Sequence, residues 1–355
     1  MTTNPTNLQW QVAATPPQDS GQQLDGQDLT IDDLMLRCQE YDAWKRDYEV
    51  KASDFRLHPN GRFSVGSSEG LYTLEEAALT QLCARYGKPF FGGALPRDYT
   101  RALIEQHPAA YAPILHDHAR AYGKSIFLRT YGESVRAFMS DRFTHIDNAD
   151  VLGILREYLH SPKNGGTYTL VRPYVGRDEL SVRVMVRSVL PQEGDGPYGV
   201  GCVIRTGEVG NVSPAVLPFI QLHACANSTI WEEGGIKLKQ TGDRRNKLML
   251  LIAAMGEALQ SCGDLINRMV QAQYEQLPGL DSIIDGMADK FGWGQELTFA
   301  VVHGTENERT VAGLVNGITY AAHATGIPAQ QAISLELLGG KVLMAKPAYV
   351  QQFAR

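Results

Sequence analysis

From Leu248 onward apolar side chains return every three or four residues, at Leu251, Ile252, Met255, Leu259, Cys262, Leu265, Ile266 and Met269. That spacing puts them on one stripe of an α-helix, so the sequence predicts a long helix over about 244–275. A different rhythm runs through 180–190, where Val182, Val184 and Val186 alternate with Arg183, Met185 and Arg187. A period of two reads as a strand with its valines facing a core and its arginines facing water.

Around these two segments the rest of the chain falls into place. Thr30 before Ile31, Asp32 and Asp33 predicts a capped helix over 31–41. Tyr48 to Phe55 reads as a strand, and Pro59-Asn60-Gly61 turns it towards Phe63 and Val65. Thr73-Leu74-Glu75-Glu76 has the form of a capping box ahead of a helix that Gly87 and Pro89 end. Two further helical stretches lie in 97–122. Ser125–Thr130 and Val135–Met139 form a hairpin through Tyr131-Gly132-Glu133-Ser134, and Asp147 or Asn148 caps a helix through Leu159. Further strands are expected at 168–174, 200–205 and 219–226, and apolar helical pieces at 297–303, 311–323 and 328–338.

The resulting expectation is an α+β fold, in which an antiparallel sheet with hairpins packs against helices and a helical region caps it at the C-terminal end. Four regions follow: a tail at 1–28 rich in Gln, Thr, Pro, Asp and Gly, an N-terminal α+β region at 29–123, a central sheet with the long helix at 124–275, and a C-terminal helical region at 276–355.

Composition narrows the class. A hydrophobic fraction of 43% beside 20% charged residues excludes wholesale disorder. No run of eighteen apolar residues and no basic, apolar leader is present, so the expectation is a cytoplasmic protein that does not span a membrane. Five cysteines stand far apart with no C-x-x-C pair, which reads as buried, reduced thiols. The net charge is −6, yet its distribution is uneven: 1–123 carries −5, 124–247 carries +3 and 248–355 carries −4. Screening acts over about 10 Å, so an acidic chain can still bind phosphate through one basic face.

Most catalytic constellations fail. The chain has no Walker loop, no G-x-S-x-G, no H-E-x-x-H and no zinc-type cysteine frame, and no cofactor is implied. His116-Asp117-His118 lacks a third ligand, and His145 with Asp141 and Asp147 uses residues that a strand-to-helix connection needs for capping, so no metal site is assigned. What stands out is a set of cations on predicted strands and loops: Arg129, Arg136, Arg142, Arg172, Arg177, Arg183, Arg187 and Arg205, then Lys237, Lys239, Arg244, Arg245 and Lys247 ahead of the long helix. The guanidinium fork suits phosphate oxygens, and Tyr131, Phe143, Tyr168 and Tyr174 lie among the arginines as candidate stacking platforms.

The block Arg136-Ala137-Phe138-Met139-Ser140-Asp141-Arg142-Phe143-Thr144-His145-Ile146-Asp147-Asn148-Ala149-Asp150-Val151-Leu152 resembles a phage- and plasmid-borne family classed as a domain of unknown function. The stretches at 78–90, 219–230 and 313–323 support the likeness, with Ala226-Asn227 where the family has Thr-Asn. That family resembles the single-strand annealing recombinases in its order of elements, which implies an ATP-independent DNA-binding protein that holds single-stranded DNA, promotes strand annealing in recombination and forms a homo-oligomer in a bacterial host cell. The alternative is a non-enzymatic protein-interaction factor of a mobile element, such as a host-defence inhibitor or a replication accessory.

Overall fold

The computed structural model describes residues 29–161, 168–186, 198–222, 227–324 and 326–354. Its backbone gathers into two compact units, one built on Leu36–Phe143 with Val209–Asn211 and the other on Thr144–Glu208 with Val212–Arg355. Helix α1 (Ile31–Asp42) opens as expected: the Asp33 amide donates to Thr30 Oγ1 at 3.2 Å, and the Thr30 amide donates back to the Asp33 carboxylate at 2.8 Å.

In the first unit six strands form one sheet in the order β1-β5-β6-β4-β3-β2. They are β1 (Lys45–Lys51), β2 (Phe55–Leu57), β3 (Phe63–Val65), β4 (Leu71–Leu74), β5 (Ser125–Tyr131) and β6 (Ser134–Ser140). The β2–β3 and β5–β6 hairpins are the two that the turn residues predict. Gly61 and Gly132 turn these hairpins at φ values of 78° and 55°, a region that side chains other than glycine rarely enter. Phe55 stacks on Phe63 at 4.7 Å, and Phe138, Leu82, Tyr86 and Leu128 complete the core beneath helices α2 (Glu76–Tyr86), α4 (Arg97–Gln106) and α5 (Pro108–Tyr122). The four-residue α3 (Lys88–Phe91) follows α2. Thr73 is not a helix cap. It lies in β4, which runs parallel to β6, and its amide donates to the Glu133 carbonyl at 2.9 Å, so the helix starts at Glu76 without a side-chain cap.

In the second unit β7 (Tyr168–Val175), β8 (Glu179–Val186), β9 (Tyr198–Gly207), β10 (Ala215–Leu222) and β11 (Ser228–Ile230) form an antiparallel sheet in the order β11-β10-β9-β8-β7, and β12 (Ile236–Lys237) also pairs with β10. Helix α6 (Asn148–His160) starts with a true capping box between Asp147 and Asp150. Helix α7 (Arg244–Ala272) fulfils the long periodic run. Its stripe of Leu251, Met255, Cys262, Leu265 and Met269 is buried, and the Cys262 thiol donates to the Gly201 carbonyl at 3.3 Å, which fixes the helix against β9. By length and composition alone α7 is also the one helix among the described residues long and apolar enough to cross a membrane. Helices α8 (Leu280–Phe291), α9 (Gln295–Gly304), α10 (Val311–Ala321), α11 (Ala329–Met344) and α12 (Pro347–Gln351) follow.

The expectation of one core face and one wet face fails for this sheet. On the side of Val182, Val184 and Ile204, α6 and α7 cover it through Val151, Leu155, Leu251 and Met255. On the other side α11 covers it: Leu337 and Met185 pack against Val203, Leu217 and Phe219. Close approach of α11 needs Gly340, where a Cβ would stand 1.9 Å from the Ile230 carbonyl oxygen. Arg183 is therefore inside the protein, 0% exposed like Val182 and Val184. Four cysteines, Cys38, Cys83, Cys202 and Cys262, are buried free thiols, and burial pushes Cys202 up to about 12 and Cys262 up to about 11. Cys225 lies outside the described residues.

Candidate nucleic-acid interface

A buried guanidinium has to be matched with acceptors, because an unpaired charge in low dielectric is costly. Arg129 and Arg183 meet that requirement through acceptors on neighbouring elements, and Arg136 lies against an aromatic ring. Arg129 lies opposite Asp47 in the β1–β5 register and grips it with two parallel bonds, Nε to Oδ1 at 2.8 Å and Nη2 to Oδ2 at 2.7 Å. Arg136, 1% exposed, has its guanidinium 5.8 Å from the Tyr131 ring centroid. Arg183 donates through Nη1 to the Arg172 carbonyl at 2.8 Å and through Nη2 to Glu336 of α11. Arg172 supplies that carbonyl from a bulge in β7, with a φ of 42° that a side chain seldom adopts. Burial pushes the Glu336 carboxyl upward against the pull of Arg183, and it pushes Arg205 downward against the pull of Glu179 and Glu232.

Arg129, Arg136 and Arg183 thus point into the protein and hold it together, and no phosphate reaches them in this fold. Two of the four stacking platforms share that fate. Tyr131 and Tyr174 are buried, while Phe143 packs on Phe127 at 6.4 Å beside Met139 and Val209. Arg177 is half-buried and bonded to Asp178 at 3.3 Å. Tyr168, half-buried, meets the His160 ring edge at 6.5 Å. Arg142 is exposed, and Arg187 lies outside the described residues.

The second group of cations is placed differently. Residues 236–243 lead from β12 into α7 along a pinned path: the Leu238 amide donates to the Pro214 carbonyl at 2.8 Å, Gln240 Nε2 donates to the Gly207 carbonyl at 2.8 Å, and the Thr144 amide donates to the Gln240 carbonyl at 2.9 Å. Asp243 then caps α7 by accepting the Asn246 amide at 2.8 Å. Two of the five cations are committed, Lys237 to Glu232 at 2.6 Å and Arg244 to Asp150, with Asp147 at 3.7 Å. Lys239 and Arg245 are exposed and Lys247 is half-exposed, and none of these three has an ion-pair partner among the described residues. They stand beside the positive end of a helix of 29 residues, which adds to the local field.

Two residues of the metal candidates make structural contacts. Asp147 caps α6, and His118 Nδ1 donates to the Tyr86 carbonyl at 2.9 Å. Among the described residues no three His, Cys, Asp or Glu side chains come together. Two features escape a reading of the sequence. Glu336, which anchors Arg183, is 153 residues away in the chain and carries no local signal. Phe90 and Phe91, 53% and 67% exposed, stand in a Gly-Lys-Pro-Phe-Phe-Gly-Gly stretch whose flanking glycines and proline mark a projecting loop.

Compared with known proteins, the chain matches no family model, no curated protein and no solved structure.

Proposed function

We propose that this protein binds single-stranded DNA without nucleotide hydrolysis, contacting phosphates through Lys239, Arg245 and Lys247 at the entrance to α7, and that it promotes annealing of complementary strands. One observation carries the reading: three cations without an ion-pair partner among the described residues are displayed where the backbone path into α7 is fixed by hydrogen bonds, in a chain whose Arg129, Arg136 and Arg183 are buried. With the backbone fixed, only side-chain freedom is lost when these cations meet a phosphate chain, and counterion release supplies the affinity. A backbone-directed grip leaves bases free to pair, which is what annealing requires. Titration of labelled single-stranded and duplex oligonucleotides at several salt concentrations tests the reading. Salt-sensitive binding that Lys239→Gln/Arg245→Gln/Lys247→Gln weakens is expected, and binding insensitive to both salt and substitution contradicts it.

A second reading, a factor that docks on another protein, has one observation in its favour. Phe299 at 72% and Tyr320 at 38% exposure flank His303 on α9 and α10, with the His303 ring 6.4 Å from Phe299 and 5.5 Å from Tyr320. Substituting Phe299 by Ser leaves DNA binding unchanged and removes a stoichiometric partner if that reading holds.

A further inference from the structure

The first unit displays two adjacent phenyl rings, Phe90 and Phe91, on a loop that is held rather than loose. Within α3 both ring-bearing amides donate to the Gly87 carbonyl, at 3.2 and 2.9 Å, and the Gly92 amide donates to the Lys88 carbonyl at 3.1 Å. The loop closes back onto α2 where the Leu95 amide donates to the Cys83 carbonyl at 2.9 Å. Gly87 admits no side chain, since a Cβ there would stand 2.4 Å from the Gly93 carbonyl oxygen, and Gly92 turns with a φ of 65°. Phe90 rests against the His118 ring at 4.3 Å, and His118 is itself tied to α2 through the Tyr86 carbonyl. Rings exposed on so fixed a loop have lost their freedom before any partner arrives.

The surroundings are close to charge balance, at +1, in a chain of net charge −6. The loop, the helices α2 and α5 against which it packs and the helix α4 that follows carry Arg85, Lys88, Arg97, Arg101 and Arg120 against Glu76, Asp98, Glu105 and Asp117. Glu76 holds Arg97 at 3.0 Å and also meets Arg101, Asp98 holds Arg97 at 3.1 Å, and Asp117 stands 3.9 Å from Arg120. Lys88, at the foot of the two rings, is exposed with no ion-pair partner among the described residues.

We propose that Phe90 and Phe91 form a stacking platform for unpaired nucleobases, with Lys88 meeting the adjoining phosphate. The proposal rests on the reading of this chain as a single-strand binder and supplies its strand preference, because a duplex keeps its base faces stacked inside. Lys88, exposed beside the rings and without an ion-pair partner among the described residues, is the charge that meets the phosphate chain. A lipid surface fits less well, since an interfacial anchor buries the apolar stripe of a whole amphipathic helix, and α3 has four residues.

The test uses the full chain and four probes: a single-stranded oligonucleotide, its duplex, a single strand carrying one fluorescent purine analogue, and vesicles of phosphatidylcholine with phosphatidylserine. Phe90→Ala/Phe91→Ala is expected to lose about tenfold in affinity for the single strand, the size of one lost base stack, with duplex affinity unchanged. Phe91→Trp is expected to retain the wild-type affinity and to quench the purine analogue on binding. Wild-type protein that binds the single strand, with the double Ala variant binding equally well, overturns this platform and leaves the phosphate reading standing. Wild-type protein that binds neither nucleic acid overturns both. Binding to vesicles that the double substitution abolishes, with single-strand affinity untouched, overturns the platform and assigns the rings to a membrane surface.

Discussion

The strand arginines and the cations before α7 look alike on paper and do opposite work. Arg183 alternates with valines in β8, as a solvent-facing residue of a one-sided sheet would, yet it is 0% exposed because α11 covers that face and brings Glu336 to it. Lys239 and Arg245 follow no periodic pattern, and they are the side chains that remain in water. What separates the two groups is whether a later element closes over the face they stand on, and charge type or spacing plays no part.

The largest effect is expected at Arg183. Arg183→Met leaves the Glu336 carboxylate buried without its main partner and is expected to destabilise the protein by about 3–5 kcal/mol in chemical denaturation, while Arg183→Met/Glu336→Leu recovers most of that loss. Arg129→Met should cost less, about 1–3 kcal/mol by the same measurement, because Asp47 is 31% exposed and can turn to water. Asp147→Ala removes the cap of α6 and is expected to cost about 0.5–2 kcal/mol, read in the same denaturation experiment, which identifies this carboxylate as structural. Smallest of all, Lys239→Gln/Arg245→Gln/Lys247→Gln should leave stability within about 0.5 kcal/mol of the parent while altering DNA binding. A triple variant as unstable as Arg183→Met would erase the distinction between the two groups.

Local signals read well along this chain. The capping box of α6, the hairpin β5–β6 and the stripe of α7 follow from turn residues and periodicity, because the forces that make them act within a few residues. The α+β character follows from those elements. Thr73 shows where local signals stop: its capping pattern is sound within four residues, but pairing of β4 with β6 and the Glu133 carbonyl claims that residue for a strand. Helix α8, absent from the expected elements, is legible in the same way, since Ile283, Ile284 and Met287 keep helical spacing between Gly279 and Gly292. The burial of Arg129, Arg136 and Arg183 is not legible. Alternation tells which residues share a face of a sheet and carries no information on whether distant chain covers it. For the candidate site this inverts the weighting: Arg129, Arg136, Arg183, Tyr131 and Tyr174 fall inside, and the less patterned Lys239 and Arg245 are exposed.

The most direct test of the account is the salt dependence of single-strand binding, compared between the parent protein and Lys239→Gln/Arg245→Gln/Lys247→Gln. Log affinity is expected to fall linearly with log salt for the parent, and the slope to shrink by about 2 in the variant, at about 0.7 for each phosphate that is no longer neutralised. A parent that binds no single strand, or a variant with the parent's slope, contradicts it.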